Sequence, residues 1–175
     1  VIDAAEQQED APIIIYTSDH GDMMYAHSLT GKGPALYEEI VHIPLIIRGL
    51  GQGVDTNPVS HINLAPTIFD IFGVPIPKMF EGRSIWQEVL NPQARCNDYV
   101  FMEFGRYEVD HDGFGGYQPL RGVYDGRYKM VLNLMTSDEL YDLEKDPQEM
   151  VNLIEKPEYE EVKKRLHQAI LDNMY

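Results

Sequence analysis

Residues 13–32 read IIIYTSDHGDMMYAHSLTGK. An apolar run ends at Asp19, His20 and Gly21, and Lys32 follows thirteen positions after Asp19, with His27 between them. A carboxylate, two imidazoles and an ammonium thus gather near the end of one expected strand. In open α/β sheets, ligands collect beyond the carboxyl ends of the strands. Asp supplies a hard oxygen and His a nitrogen, a pair compatible with several divalent metals. Consecutive strand residues point to opposite faces, so Asp19 and His20 reach one ion only where the chain turns, and Gly21 permits such a turn. Lys32, between two glycines, suits a sulfate or phosphate oxygen whose charge grows as an ester bond breaks. His27 suits proton donation to the leaving oxygen. Each residue alone also fits an ordinary role: a capping Asp, a packed His, a surface Lys in a loop, a structural His.

The elements that must position these groups follow from pattern. Residues 1–9 read as the tail of a helix that Pro12 ends. The run at 13–16 suits a strand buried on both faces of a parallel sheet. Residues 34–40 (PALYEEI) predict a short helix with Pro34 near its first turn. Residues 42–48 (HIPLIIR) predict a second buried strand. Ser60 is a suitable N-cap for INLAPTIFDIFG, where Leu64, Ile68 and Ile71 recur at helical spacing and Gly73 closes the helix. Strand, helix, strand, helix is an α/β pattern.

After Pro77 the character changes. A strand is expected at 99–104 and a Gly- and Asp-rich loop at 108–117. Residues 120–124 and 127–132 flank Asp125-Gly126, a hairpin signal. A short strand at 139–143 and an amphipathic helix at 158–174 follow, with Val162, Leu166, Ile170 and Met174 on its apolar stripe. Two regions are expected: 1–90, part of an α/β catalytic domain, and 91–175, a small antiparallel subdomain with a closing helix.

Composition narrows the function. The 175 residues suffice for a domain-sized core. The chain carries 29 acidic residues against 14 Lys and Arg, a net charge of -15, which argues against a basic nucleic-acid-binding face. A single cysteine, Cys96, excludes an internal disulfide framework. No apolar run approaches the roughly 20 residues that cross a bilayer. The start VIDAAEQQED has no basic n-region of a signal peptide, and it leads straight into a core-type strand, which suggests a beginning within a longer protein.

Taken in order, T-S-D-H-G, His27, G-K-G, Y-E-E and I-P-L-I-I resemble the C-terminal part of the sulfatase family, in the alkaline phosphatase superfamily. HINLAPTIFDIFGVP, EGRSI, GRYKMVLN and ELYDLEKDPQEMVNL follow in family order, so the resemblance covers nearly the whole chain. It implies a sulfatase-like sheet with flanking helices, followed by a small antiparallel sheet. It also implies a divalent metal, calcium first, with manganese or magnesium as alternatives, held by the pair matching Asp19 and His20. Lys32 matches the family lysine on the ester oxyanion, and His27 the histidine near the leaving group. Many sulfatases have Asp-Asn at the metal pair; Asp-His is similar to phosphonate monoester hydrolases and related phosphodiesterases. Asn63 stands where the family usually has Asp after His61, a change expected to affect a helix start and not the site. Asp110, His111 and Tyr117 are candidates for choosing the alcohol portion of the ester, with a solvated acidic loop as the other reading.

The family nucleophile, a formylglycine made in a C/S-x-P-x-R motif, has no match: Cys96 lies in RCNDY and no Ser heads such a motif. The first metal-binding Asp pair is absent as well. The expected function is therefore that of a C-terminal portion of a metal-dependent sulfatase, inactive alone, acting in its parent on a small sulfate or phosphate ester. A phosphonate monoester or phosphodiester hydrolase is one alternative, and a non-catalytic structural or interaction domain another. An unpaired apolar strand edge predicts self-association. Family members occur in both periplasm and cytoplasm, and the compartment stays open.

Overall fold

Four aliphatic or aromatic residues in a row favour extended backbone, and the first strand forms there, at β1 (Ile14–Thr17). The computed structural model describes residues 2–7, 12–49, 53–91, 93–106 and 117–174. They fall into two compact units, one of residues up to 19 with 43–97, the other of residues 20–42 with 98 onward.

The first unit holds α1 (Ile2–Glu6) and a two-stranded sheet of β1 with β2 (Leu45–Arg48). The pair is antiparallel, with Ile14 opposite Arg48 and Tyr16 opposite Ile46. This corrects the expectation of a parallel sheet. A parallel pair needs a long crossover, usually a full helix; residues 18–44 form only a 3-10 turn and the single-turn α2 (Glu38–Val41). Nor is the pair buried on both faces: Tyr16 and Ile46 are each 57% exposed.

A 3-10 turn at His61–Asn63 runs into α3 (Leu64–Ile71), and α4 (Trp86–Leu90) follows. Asn63 organises this start. Its Oδ1 accepts the Ser60 N–H at 2.8 Å, and its Nδ2 donates to the Arg83 carbonyl at 2.8 Å. The residue is buried, so both ends of the amide are used as the interior requires. Thr67 Oγ1 donates to the Asn63 carbonyl at 2.5 Å and accepts the Ile85 N–H at 3.0 Å, tying α3 to the approach of α4.

The second unit is built on a four-stranded antiparallel meander, β3 (Val100–Arg106), β4 (Tyr117–Tyr124), β5 (Tyr128–Asn133) and β6 (Glu139–Asp142), in that order. Period-two alternation gives the sheet two working faces. One face presents Val123, Met130 and Leu140 to Leu166, Ala169 and Ile170 of α5 (Glu160–Asn173). Met174, expected on the apolar stripe of that helix, lies past its end and is 52% exposed. The other face carries Leu120 and Val131, which pack with Leu36 and with partly buried Val41, Met102 and Phe104. The β4–β5 hairpin turns one residue later than Asp125-Gly126 predicts. Asp125 Oδ1 takes the N–H groups of Arg127 and Tyr128, Asp125 N donates to the Tyr128 carbonyl, and Gly126 alone supplies a positive φ, of 100°. Leu120 lies opposite Asn133 and Tyr124 opposite Lys129.

The helix expected over 34–40 forms only as α2, because Tyr37 remains extended (φ -68°, ψ 155°). Its first free N–H, on Glu38, is taken by Glu149 Oε2 at 2.7 Å, so a carboxylate distant in sequence caps the first turn.

Candidate functional site

Gly21 brings the chain into place by close approach. Its N–H donates to the Ile40 carbonyl at 2.8 Å, and a Cβ built there would lie 1.9 Å from the Glu39 carbonyl oxygen. The sequence suggested that this glycine frees a turn; its φ is not positive, and what it provides is room for the backbone of α2. His20 is thereby fixed. His20 Nδ1 lies 2.7 Å from the Gly21 carbonyl oxygen, which assigns the ring proton to Nδ1 and a lone pair to Nε2. Lys32 Nζ sits 2.9 Å from Nε2 and donates to it. Two of the predicted site residues, His20 and Lys32, thus meet directly.

Asp19 belongs to the first unit, is exposed, and lies 3.4 Å from the Ser18 hydroxyl through Oδ1. His61, in the same unit, has Nε2 2.7 Å from the Ser18 carbonyl oxygen. His111 and Asp110 lie outside the described residues, as does the side chain of Tyr117.

His27 lies in an unusual backbone segment. Met24, Tyr25, His27 and Ser28 all have positive φ, of 45°, 71°, 49° and 61°. Buried Met23 anchors the segment, and its N–H donates to the Gly31 carbonyl at 2.9 Å. The His27 ring stacks on the Tyr37 ring, with centroids 3.9 Å apart and planes 7° from parallel.

Beneath this segment lies a cluster that the sequence reading missed. Lys129, Glu139 and Tyr141 come from β5 and β6, with Lys129 opposite Tyr141 and Val131 opposite Glu139. Lys129 Nζ lies 2.8 Å from Glu38 Oε1 and 2.7 Å from Glu149 Oε1, the second contact lacking hydrogen-bond geometry. Glu38 Oε2 also meets His42 Nδ1 at 2.8 Å. Burial pushes the Glu149 carboxyl above its ordinary value while the Lys129 ammonium pulls it back. Burial likewise raises Glu139, against a hydrogen bond from Tyr141 and the charges of Lys129 and His27. Tyr141 is raised strongly by burial and by the Glu139 charge, and Tyr37 by burial. One signal of this cluster was available: in YKMVLN, a lysine shares the strand face of Val131 and so points inward, where it demands an acidic partner.

A divalent cation needs several oxygen or nitrogen donors. His20 has the tautomer of a metal-ligating imidazole, with Nδ1–H on a carbonyl; Nε2, the atom a metal would take, accepts from Lys32. Among the described residues, no group of three or more His, Cys, Asp or Glu could hold a metal. The residues therefore fit a contribution to a metal site and not a whole coordination sphere.

An imidazole–ammonium contact between loops, in a unit built on a small antiparallel sheet with a closing helix, is the arrangement these elements form. The chain belongs to the sulfatase family: residues 31–174 match the family model described as N-sulphoglucosamine sulphohydrolase, C-terminal. It is 46% identical over 171 residues to the sulfatase YidJ of Escherichia coli (strain K12), covering 96% of this chain and 33% of that protein. It is 32% identical over 170 residues to the Delta 4,5-hexuronate-2-O-sulfatase of Bacteroides thetaiotaomicron, covering 92% of this chain and 34% of that protein. Among solved structures, BT4656 in complex with its substrate D-Glucosamine-2-N, 6-O-disulfate matches with a TM-score of 0.81 and 27% identity, over 95% of this chain and 35% of that one. The phosphonate monoester hydrolase of Agrobacterium radiobacter matches with a TM-score of 0.74 and 28% identity, over 91% of this chain and 34% of that one. The chain spans about a third of the length of the curated relatives it matches. No helix among the described residues is long and apolar enough to cross a membrane.

Proposed function

We propose that this chain is the C-terminal portion of a metal-dependent sulfatase and supplies part of its active site. The observation that carries this reading is the 2.9 Å contact of Lys32 Nζ with His20 Nε2, in a chain whose residues 31–174, Lys32 among them, match the sulfatase family model. Asp19 and His20, neighbours in sequence, would hold a divalent cation together with ligands from elsewhere in the enzyme. When bound, such a cation supplies Lewis-acid polarisation of a sulfuryl oxygen. Lys32, which would have to leave His20 Nε2 for a cation to take it, would grip a non-bridging oxygen of the ester and offset the charge that builds as the S–O bond breaks. His27 would give a proton to the departing oxygen, which leaves as an alcohol. The substrate class is a small sulfate ester; the relatives named as a hexuronate-2-O-sulfatase and an N-acetylglucosamine-6-O-sulfatase favour sulfated sugars.

The 175 residues contain no C/S-x-P-x-R motif, so the covalent nucleophile would come from other polypeptide and this chain alone would be inactive. In a full-length enzyme carrying this region, Lys32→Ala is expected to lower kcat/KM for an aryl sulfate by on the order of 10²–10³-fold. Unchanged kinetics in that variant, or measurable aryl sulfate turnover by the purified chain, would overturn the reading. A second reading, hydrolysis of phosphonate monoesters or phosphodiesters, is favoured by His20 beside Asp19 and by the likeness to the Agrobacterium radiobacter enzyme. Comparing full-length turnover of an aryl sulfate with that of an aryl phosphonate separates the two.

A further inference from the structure

We propose that Tyr37 is a positioning residue for His27, and that Tyr37 and Tyr141 form a fixed support beneath the imidazole; this rests on reading His27 as the proton donor to the leaving oxygen. Three observations carry it. The His27 and Tyr37 rings are stacked nearly parallel at 3.9 Å, a contact that removes most of the freedom of a side chain otherwise carried on an exposed turn. Tyr37 is itself fixed. Its ring packs against the Tyr141 ring, with centroids 6.2 Å apart and planes at 53°. Tyr141 is 4% exposed on β6, so this contact ties Tyr37 to the sheet. The third observation is the backbone. Positive φ at four non-glycine residues among 24–28 persists only where the surroundings over-determine the conformation, and such residues cluster at functional sites.

The chain of contact runs from a buried tyrosine on β6 through a second tyrosine ring to one imidazole face. It leaves the other face and edge of His27 to present an N–H. A histidine that protonates a leaving oxygen must be held within a fraction of an ångström, and a stacked ring on a sheet-anchored tyrosine does this without occupying a ring nitrogen.

The test has two arms. In this chain, NMR of the His27 ring protons, assigned by their loss in His27→Gln, is expected to show an upfield ring-current shift. That shift should vanish in Tyr37→Leu and persist in Tyr37→Phe. In the full-length enzyme, Tyr37→Leu is expected to lower kcat about tenfold or more on an alkyl sulfate, whose leaving group needs a proton. It should change turnover little on 4-nitrophenyl sulfate, whose leaving group does not, and Tyr37→Phe should restore most of the loss. A merely structural defect would depress both substrates alike. His27 resonances unmoved by Tyr37→Leu overturn the proposal whatever the kinetics. Resonances that move without any leaving-group-dependent loss leave the stack intact and sink the proton-donor role of His27 instead. If Tyr37→Leu does not fold, Tyr141→Leu serves: it removes the ring that packs against Tyr37 and is expected to reduce the ring-current shift, and an unchanged shift counts against the support.

Discussion

Lys129 and Glu149 meet at 2.7 Å with side chains only 1% and 0% exposed. A buried ion pair adds little net stability, but removing one partner leaves an uncompensated charge in the interior. Lys129→Met is therefore expected to cost about 3–5 kcal/mol at neutral pH, read from urea unfolding. The pH dependence follows from the direction of the Glu149 shift. Its folded carboxyl sits above the unfolded value because of burial, so the folded state holds the proton more tightly. Stability contributed by that proton is present at low pH and is lost as pH rises through the folded value. Without Lys129 the deficit should narrow as the solution is acidified, and adding Glu149→Gln should recover much of the loss. A deficit independent of pH would show that Glu149 is not the stranded charge.

Asp142 behaves in the opposite sense. Arg127 binds it in a fork, Nε to Oδ1 at 3.0 Å and Nη2 to Oδ2 at 2.8 Å, and Lys145 stands 3.5 Å away. The guanidinium hydrogen bonds hold this carboxyl below its ordinary value of 3.8. A depressed carboxylate stabilises the fold above the unfolded pKa, and that contribution is lost as pH falls through the folded one. Asp142→Asn is expected to lower the thermal midpoint at pH 7 and to have progressively less effect toward pH 2. Equal destabilisation at both ends of that range would contradict the assignment.

The β-meander and its closing helix were legible because period-two and period-3.6 patterns there coincide with burial, as Met130, Leu140, Leu166 and Ile170 illustrate. The orientation of β1 against β2 was not, since an apolar run is the same in parallel and antiparallel pairing. The residue types in IIIYTSDHGDMMYAHSLTGK suggested a site, and of those residues the structure brings His20 and Lys32 into contact. Tyr37, Tyr141 and Glu149 escaped, because Tyr141 meets Tyr37 beneath His27 and Glu149 meets Glu38 across more than a hundred residues, and no local spacing links them. Gly21 was noticed for the wrong property, since close approach of another backbone leaves no trace in local sequence.

Gly21→Ala isolates that property. The added Cβ would fall 1.9 Å from the Glu39 carbonyl oxygen, so the Gly21–Ile40 hydrogen bond must open. A loss of about 1–3 kcal/mol is expected from overpacking against rigid backbone. Because His20 Nδ1 is held by the Gly21 carbonyl, the His20 ring signals in NMR should shift as well. A variant with native stability and unmoved His20 signals would mean that the backbone accommodates the methyl freely.

Metal titration tests how much of a site this chain carries. Two candidate ligands, the Asp19 carboxylate and one nitrogen of His20, fall far short of the six to eight oxygens that calcium takes. Calorimetry with calcium or manganese is expected to give a dissociation constant weaker than about 1 mM for the purified chain. His20→Ala should leave that weak binding nearly unchanged, because no closed shell depends on it. Micromolar binding abolished by His20→Ala would show a complete site and refute the shared-site reading.

Self-association is the last expectation. Among the described residues, β1 and β2 pair only with each other, which leaves an outer edge on each strand. Tyr16 and Ile46, cross-strand partners, present a common apolar face at 57% exposure each. In the same unit Ile62 is 59% exposed and Phe72 75%. Free strand edges beside exposed apolar side chains favour pairing with a second chain, and apolar area removed from water contributes about 25 cal/mol per Å². A stable interface takes about 800 Å² from each partner, more than two side chains provide, so the association should be concentration-dependent and not obligate. Sedimentation velocity between about 5 and 200 µM is expected to show a rising weight-average mass. Ile46→Lys puts a charge on the exposed face and should return the chain to monomer without loss of fold by circular dichroism. A single monomeric species of wild type across that range would dispose of the idea, while an undiminished oligomer in Ile46→Lys would move the interface to another surface.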